Sequence, residues 1–512
     1  MTVLKDKAGA PTHNNKSWDT PKWRGAWILV RRLQMRIAKA TREGKTGKVK
    51  SLQWILTHSY YAKALAVKRV SSNKGKRTPG VDKVLWNTSA SRNKAVQSLR
   101  QHGYKAKPLR RIYIEKKKSG KYRPLSIPTM KDRAMQALYK LALTPVAEST
   151  ADPNSYGFRE QRSCADAIEV AFCNLSKPNS ATWILEADIA GCYDNISQRW
   201  MMRFIPMERR ILGEWLGAGY VEQGKTYPTL KGTPQGGIIS PTLANMTLDG
   251  LEYAIQCAVP RRKRVNVVRY ADDFIVTGKS KAILEQKVKP AVEEFLSERG
   301  LELSKEKTRI TSIYDGFTFL GQTFKKHKGK LNITPAKSGT LDVVRKIGKI
   351  IRKWVSSSLE GLIKELNSVL RGWGNYHRFV VTGKAFTFVD NYVYEQLWRM
   401  LRKRHQNKGD KWLAEHYWLQ GPNRWTFSVK SKSNGKRYSV IKTRELATHR
   451  YRKIKSDANP FLKEYIKYFM IRKHVKGAKL RTRLSAREFR NHLKNSEPGY
   501  LNEVALTNAR AV

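Results

Sequence analysis

The chain has 512 residues, with 100 Lys+Arg against 41 Asp+Glu and a formal net charge of +59. A small acidic substrate does not call for such an excess, whereas a polyanion does, because each cation that meets a phosphate releases condensed counterions; nucleic acid is the expected partner. Hydrophobic residues at 40% and aromatics at 10% exclude a disordered basic tail, and Cys164, Cys173, Cys192 and Cys257 form no CxxC pair, which argues against a zinc ribbon or a disulfide framework.

The opening MTVLKDKAGAPTHNNKSW has no apolar core of the signal-peptide kind. The longest apolar stretch, 236–259, is broken by Asp249 and Glu252, so no membrane span is expected and the cysteine usage suggests a reducing interior. Trp27, Val30, Leu33, Ile37 and Ala40 fall on one helical stripe, and after a break at Gly44 to Gly47 a second apolar pattern runs through Leu52, Ile55, Leu56, Tyr60, Ala64 and Val67. The first 70 residues therefore read as a small basic helical module, closed by the loop-forming SSNKGKRTPGVDK at 71–83.

From about 108 the pattern mixes strands with helices. RRIYIEKKKSGKYRPLSI predicts a hairpin, 131–148 a helix, WILEADI (183–189) a strand, and VNVVRY (265–270) and FIVT (274–277) two more. Residues 281–299 place their apolar side chains on one helical face ahead of Gly300 as a C-terminal cap, and TRITSI and FTFLGQTF follow as strands around Tyr314-Asp315-Gly316. Residues 341–405 return to helical periodicity, and the basic remainder has weak periodicity. Roughly half of the charge excess lies beyond residue 320, which marks the C-terminal part as a nucleic-acid grip.

In a chain this short of acids, Asp272-Asp273 between two strands draws notice. Two like charges in a tight turn repel unless a cation neutralises them, and all-oxygen ligands suit Mg²⁺, although Asp-Asp alone is also good turn chemistry. Asp188 ends WILEADI and supplies a third carboxylate if its strand lies beside the other two; phosphoryl transfer by two metal ions needs carboxylates shared between them. Glu186 lies on the same strand face as Asp188 and reads as a charge at the sheet margin, not as a ligand.

ADIAGCYDNI (187–196), GTPQGGIISPTLANMTLD (232–249) and RYADDFIV (269–276) stand in the order and at the approximate spacing of reverse transcriptase blocks. With RTPGVD (77–82), KYRPLSIP (121–128), LSKEKT (303–308), FTFLG (317–321), LQMRIAKA (33–40) and RGWGNYHR (371–378), the chain resembles bacterial group II intron-encoded reverse transcriptases with maturase function. The resemblance covers about residues 17–465. It implies an α+β right-hand polymerase with fingers, a palm built on an antiparallel sheet and a helical thumb. Its implied divisions are a helical N-terminal extension (1–75), fingers and palm (76–330), thumb or maturase domain X (331–410) and a basic DNA-binding-like region (411–512).

The same resemblance implies the site. Asp188, Asp272 and Asp273 would be the catalytic carboxylates, holding two Mg²⁺ ions, or Mn²⁺ in their place, with help from the Ile189 carbonyl. Ala190, Tyr193, Gln235, Arg123, Lys307 and either Lys116 or Lys117 would meet the incoming nucleotide. Tyr193 falls where the family keeps an aromatic gate against a 2′-hydroxyl, and Gly236 and Gly237 would let the backbone approach the nucleotide. Arg31, Arg32, Arg36, Lys39, Arg378, Arg399, Arg402 and Arg404 are RNA-contact candidates, with Trp373 and Tyr376 as stacking rings or core; each basic cluster reads equally as a solvated face.

The implied function is RNA-directed DNA synthesis from dNTPs on an RNA template primed by DNA or target DNA. Binding of the chain's own group II intron RNA would assist splicing and mobility, in a bacterial cytoplasm. The alternatives are a splicing-only RNA-binding maturase and a reverse transcriptase recruited to DNA repair or phage defence. His492 is isolated in the last segment, so an HNH endonuclease is not expected there.

Overall fold

The computed structural model describes residues 18, 23–115, 120, 122–260, 265–419, 425–431, 433, 435–449 and 451–477. Helices α1 (Trp23–Arg42), α2 (Thr46–His58) and α3 (Tyr60–Ser72) open the chain. Of the predicted α1 stripe, Val30, Ile37 and Ala40 are buried and Trp27 and Leu33 pack half-buried on the same core, and Gly44 supplies the left-handed residue that ends it (φ 67°). These helices have no core of their own. A short α4 (Ser89–Ser98), opened by a Thr88/Ser91 capping box, leads to the hairpin of β1 (Leu109–Glu115) and β2 (Tyr122–Ile127), in register from Arg110↔Ile127 to Glu115↔Tyr122. Next comes α5 (Met130–Thr150), buried along most of its surface, and the stripes of α1 to α3 close on it in one core that runs on to Leu301.

After α6 (Cys164–Leu175), β3 (Trp183–Asp188) leads into three short helices: α7 (Cys192–Asn195), α8 (Gln198–Phe204) and α9 (Arg209–Leu216). Strands β4 (Tyr220–Glu222) and β5 (Lys225–Tyr227) complete a first sheet of order β2-β1-β4-β5. Helices α10 (Ser240–Leu248) and α11 (Leu251–Ala258) precede the hairpin of β6 (Asn266–Tyr270) and β7 (Asp273–Gly278). The predicted helix over 281–299 is three pieces: α12 (Lys281–Ile283), a π-turn at Leu284–Val288 and α13 (Lys289–Ser297). Pro290 explains the break, since it has no N–H to return to the preceding turn.

With β8 (Arg309–Ser312) the second sheet is antiparallel throughout, in the order β6-β7-β3-β8. Both of its faces are covered. Leu185, Ala187, Phe274 and Val276 enter the large core, while Ile184, Val268 and Ile275 enter a second one against α6. A fully buried Phe or Val contributes roughly 1.5–3 kcal/mol, so the two strands that carry the aspartates are fixed from both sides.

FTFLGQTF, expected as one strand, is two: β9 (Phe317–Phe319) and β10 (Gln322–His327) turn back through Leu320 (φ 48°) and Gly321 (φ 70°), the pair of positive φ values a tight hairpin favours. They join β11 (Lys330–Pro335) in a separate sheet instead of extending β8. Helices α14 (Lys337–Lys353), α15 (Leu359–His377), α16 (Gly383–Arg404) and α17 (Asp410–Tyr417), with the small hairpin of β12 (Ser428–Lys430) and β13 (Arg437–Ser439), share a third core. That core continues past residue 410 to Val440. Segment 454–472, including the first part of α18 (Ile466–Gly477), returns to α6, where Arg472 pairs with the fully buried Asp166. The molecule is a mixed α+β protein. Among the described residues no helix is long and apolar enough to cross a membrane.

Candidate active site

Asp188 is the last residue of β3 and Asp273 the first of β7, and they face each other directly as register partners. Antiparallel partners project to the same side of a sheet, so the pairing puts the two carboxylates together. Asp272 sits beside them in the two-residue loop between the paired Tyr270 and Asp273. Ala271, the other loop residue, is held at φ 59°, a strained conformation for a residue with a Cβ. Gly157 keeps that loop in place: a Cβ on it would lie 2.5 Å from the Ala271 nitrogen.

The electrostatics follow from this crowding. Burial first, then Asp188, Asp272 and Glu186, push the Asp273 carboxyl up to about 7; burial and then Asp188 also raise Asp272. Lys307 answers part of the repulsion by hydrogen-bonding Asp188 Oδ2, a contact that raises the ammonium's own pKa. It is brought there by the backbone: Ala190 N donates to Glu302 O (2.9 Å) and Ser304 N to Asp188 O (2.8 Å), which ties 302–308 along the end of β3.

Glu186 is not a marginal charge. It is buried, neutralised by Arg309 through Nε (2.8 Å) and Nη2 (3.0 Å), and accepts a further hydrogen bond from the Thr311 hydroxyl (2.9 Å). Among the described residues no three acidic, His or Cys side chains already close round a point as a metal cage. The donors of the aspartate cluster are nonetheless all carboxylate oxygens. A divalent cation would relieve the repulsion that raises Asp273, so the residues fit Mg²⁺.

The expected nucleotide-binding residues gather from three elements. Tyr193, on α7, has its hydroxyl raised by burial and then by Asp272. Its carbonyl accepts from Thr233 N at 2.7 Å, and a Cβ on Gly232 would lie 2.4 Å from that oxygen. Gln235 donates through Nε2 to Asp194 Oδ2 (3.0 Å), and its carbonyl accepts from Ser126 N (2.8 Å) on β2. Gly236 (φ 116°) would drive a Cβ to 2.8 Å from Ser126 O, so the PQGG loop is wedged between α7 and β2 where glycine alone fits. Arg123 on β2 is near enough to the cluster to lower the Asp272 pKa. Ile189 is buried, and the Ala190 carbonyl accepts from Asn195 Nδ2 (3.1 Å). Lys116 and Lys117 lie outside the described residues.

The RNA-contact candidates divide. Arg32, Arg36, Lys39 and Arg399 are exposed, Lys39 facing Glu43 at 3.8 Å and Arg399 facing Glu395 at the same distance. Arg31 instead lies 4.1 Å over the Phe461 ring and donates to Pro460 O, pinning α1 to the returning segment. Arg404 caps the carbonyls of Val355 (2.9 Å) and Ser357 (2.7 Å), Arg402 is bidentate on Asp410, and Arg378 lies half-buried over Phe379. Trp373 packs on His377 and Phe386.

Tyr376 carries a role the sequence does not disclose. Its hydroxyl donates to Leu320 O (2.8 Å) and feels, after burial and Cys164, both Tyr270 and Asp273, which brings the end of α15 to the aspartate cluster. Gly157 is likewise silent in the sequence, because its partner is 114 residues away in the chain.

Three family models match in chain order: the N-terminal domain of reverse transcriptase over 18–99, reverse transcriptase (RNA-dependent DNA polymerase) over 114–324, and the group II intron maturase-specific domain over 341–418. The chain is 30% identical to the group II intron-encoded protein LtrA of Lactococcus lactis subsp. cremoris, over 58% of its own length and 59% of that protein's. It is 29% identical to protein YkfC of Escherichia coli K12 (59% and 90%), and 28% identical to an uncharacterized 91 kDa protein in the cob intron of Schizosaccharomyces pombe (64% and 50%). The chain thus spans about three fifths of the length of LtrA. Reverse transcriptases generally use divalent metal ions, as the carboxylate cluster would suit. From the chain's first helices through its helical third core, the three matches in chain order and the likeness to LtrA and YkfC support a group II intron-encoded reverse transcriptase and maturase.

Proposed function

We propose that the chain is an RNA-directed DNA polymerase that also binds its group II intron RNA to assist splicing and mobility. The observation that carries this reading is the direct Asp188↔Asp273 pairing beside Asp272, with Asp273 raised to about 7. Three buried-edge carboxylates kept in mutual repulsion make sense as the ligands of divalent cations. In this reading the sheet β6-β7-β3-β8 is the palm, the β1–β2 hairpin belongs to the fingers and α14 to α16 form the thumb. The divisions fall near residues 75 and 330, the thumb core runs on past 410 to Val440, and the basic C-terminal region contacts DNA.

Asp188 and Asp272 would hold two Mg²⁺ ions, with the Ile189 carbonyl, and Asp273 would adjoin one of them. The bound metal supplies neutralisation of the charge that develops on attacking and leaving oxygens. The chain does the rest. Arg123 and a β1–β2 lysine hold the triphosphate, and Gln235 with Gly236 and Gly237 bring a flat backbone against the nucleotide. The Tyr193 ring excludes a sugar 2′-hydroxyl by occupying its space. Lys307 offsets the Asp188 charge before substrate arrives. The exposed Arg32, Arg36, Lys39 and Arg399 meet RNA phosphates.

The test is extension of a DNA primer on an RNA template by the wild-type chain with Mg²⁺ and dNTPs. Extension is expected. No extension, together with tight binding and faster splicing of a group II precursor RNA, would favour a splicing-only maturase.

A further inference from the structure

A cavity of about 220 Å³, lined by none of the three aspartates, opens against α16. Tyr394 of α16, Trp418 and Trp425 wall it, and Lys442 and Arg444 line it as well. The two tryptophans are brought together by backbone bonds from Leu419 N to Thr426 O (3.0 Å) and from Trp425 N to Leu419 O (3.0 Å). The three rings stand at angles to one another, with centroids 4.8 Å apart for Tyr394–Trp418, 6.2 Å for Tyr394–Trp425 and 6.3 Å for Trp418–Trp425.

Three features are costly as mere packing. Trp425 is held at φ 60°, a conformation a bulky residue adopts only under constraint, and leaves 38% of itself exposed. Tyr394 is 37% exposed beside it. Trp418 is 4% exposed and lines the cavity, yet its Nε1 finds no acceptor among the described residues.

Aromatic boxes of this kind suit organic cations or planar rings. The charges decide between them. Asp390 lines the cavity as well, but its carboxylate accepts from Thr443 N (2.7 Å), the Thr443 hydroxyl (2.8 Å) and Arg444 N (3.1 Å) and lies 4.0 Å from Arg444 Nε, so with Lys442 the charged lining stays net positive and disfavours a cation. Flat ring faces and a net positive edge complement a nucleotide. The volume lies below the roughly 300 Å³ at which sites for drug-sized ligands begin, which limits the occupant to one ring system.

We propose that this cavity takes a single unpaired nucleobase of a nucleic-acid strand. The base stacks on Trp425 or Tyr394, and the adjoining phosphate meets Lys442 and Arg444. A paired base cannot enter, because its faces are covered in the stack. The inference rests on the function proposed above only in taking nucleic acid as partner, and it uses none of the aspartates.

The experiment measures affinity of the full chain, by fluorescence anisotropy, for a short single-stranded RNA, the DNA of the same sequence and the matching RNA duplex. Trp425→Ala should weaken single-strand binding roughly 5- to 150-fold and leave the duplex unchanged, while Trp425→Phe keeps most of the affinity. Loss for RNA alone assigns an RNA strand, and loss for both single strands assigns a site indifferent to the sugar; either supports the proposal. Equal loss for the duplex, or no loss for either single strand, overturns it. Should Trp425→Ala fail to fold, Lys442→Ala decides: the salt slope of single-strand binding should fall by about one, and an unchanged slope overturns the proposal. Wild-type chain that binds in this way but extends no primer would leave this inference standing while the polymerase reading falls.

Discussion

Asp273→Asn should make the chain more stable in the absence of divalent ions, and by more at high pH than at low. Folding raises this carboxyl from near 3.8 to about 7, through burial and then through Asp188, Asp272 and Glu186. A raised acid favours the folded state only while protonated, so the penalty begins near pH 4, grows as pH rises and levels off above about 7. Three units at about 1.4 kcal/mol each set an upper bound of roughly 4 kcal/mol, and partial exposure with local relaxation reduces this to about 2. The assay is urea unfolding of both proteins from pH 5 to pH 8 with and without Mg²⁺. The difference between them cancels the other titrations, such as that of the buried Asp249, itself raised to about 6 by burial first. Wild type should gain stability on acidification and, at pH 8, on addition of Mg²⁺; the variant should gain less from either. Equal pH profiles for the two proteins would refute the claim that repulsion at the cluster is what a cation relieves.

Gly157→Ala should fold yet lose roughly 100-fold in nucleotide incorporation, because the new methyl must displace the Ala271 backbone and with it Asp272; steady-state primer extension checks it. Arg472→Ala leaves the Asp166 carboxylate buried with its other partners only and should cost about 3–5 kcal/mol in urea unfolding. Replacing the exposed Arg32 and Arg36 by Ala should each lower the salt slope of RNA binding by about one, whereas Arg404→Ala, which uncaps the Val355 and Ser357 carbonyls, should reduce stability and leave the slope alone.

Much of this molecule is legible in its sequence, for identifiable reasons. The α1 stripe, the β1–β2 hairpin and the strands carrying Asp188 and Asp273 have strong periodicity or turn signals, and the structure builds them. What fails to show is whatever depends on a partner distant in the chain. The α1 stripe does not say that it closes on α5, so the opening helices read as a module when they share a larger core. Glu186 reads as marginal because Arg309, 123 residues on, is invisible as its partner. Arg31 and Arg404 look like phosphate contacts because an arginine run says nothing of carbonyls waiting across the fold. The Leu320-Gly321 turn was hidden by the apolar run on either side of it.

The most direct test of the central claim pairs two readings on one variant: Mg²⁺-dependent dNTP incorporation on a primed RNA template, and RNA affinity at fixed salt, for wild type and Asp272→Ala. The account predicts that incorporation disappears while RNA binding stays within a few-fold, since binding rests on Lys and Arg elsewhere. Incorporation that survives in Asp272→Ala, or an equal loss of both activities, would contradict it.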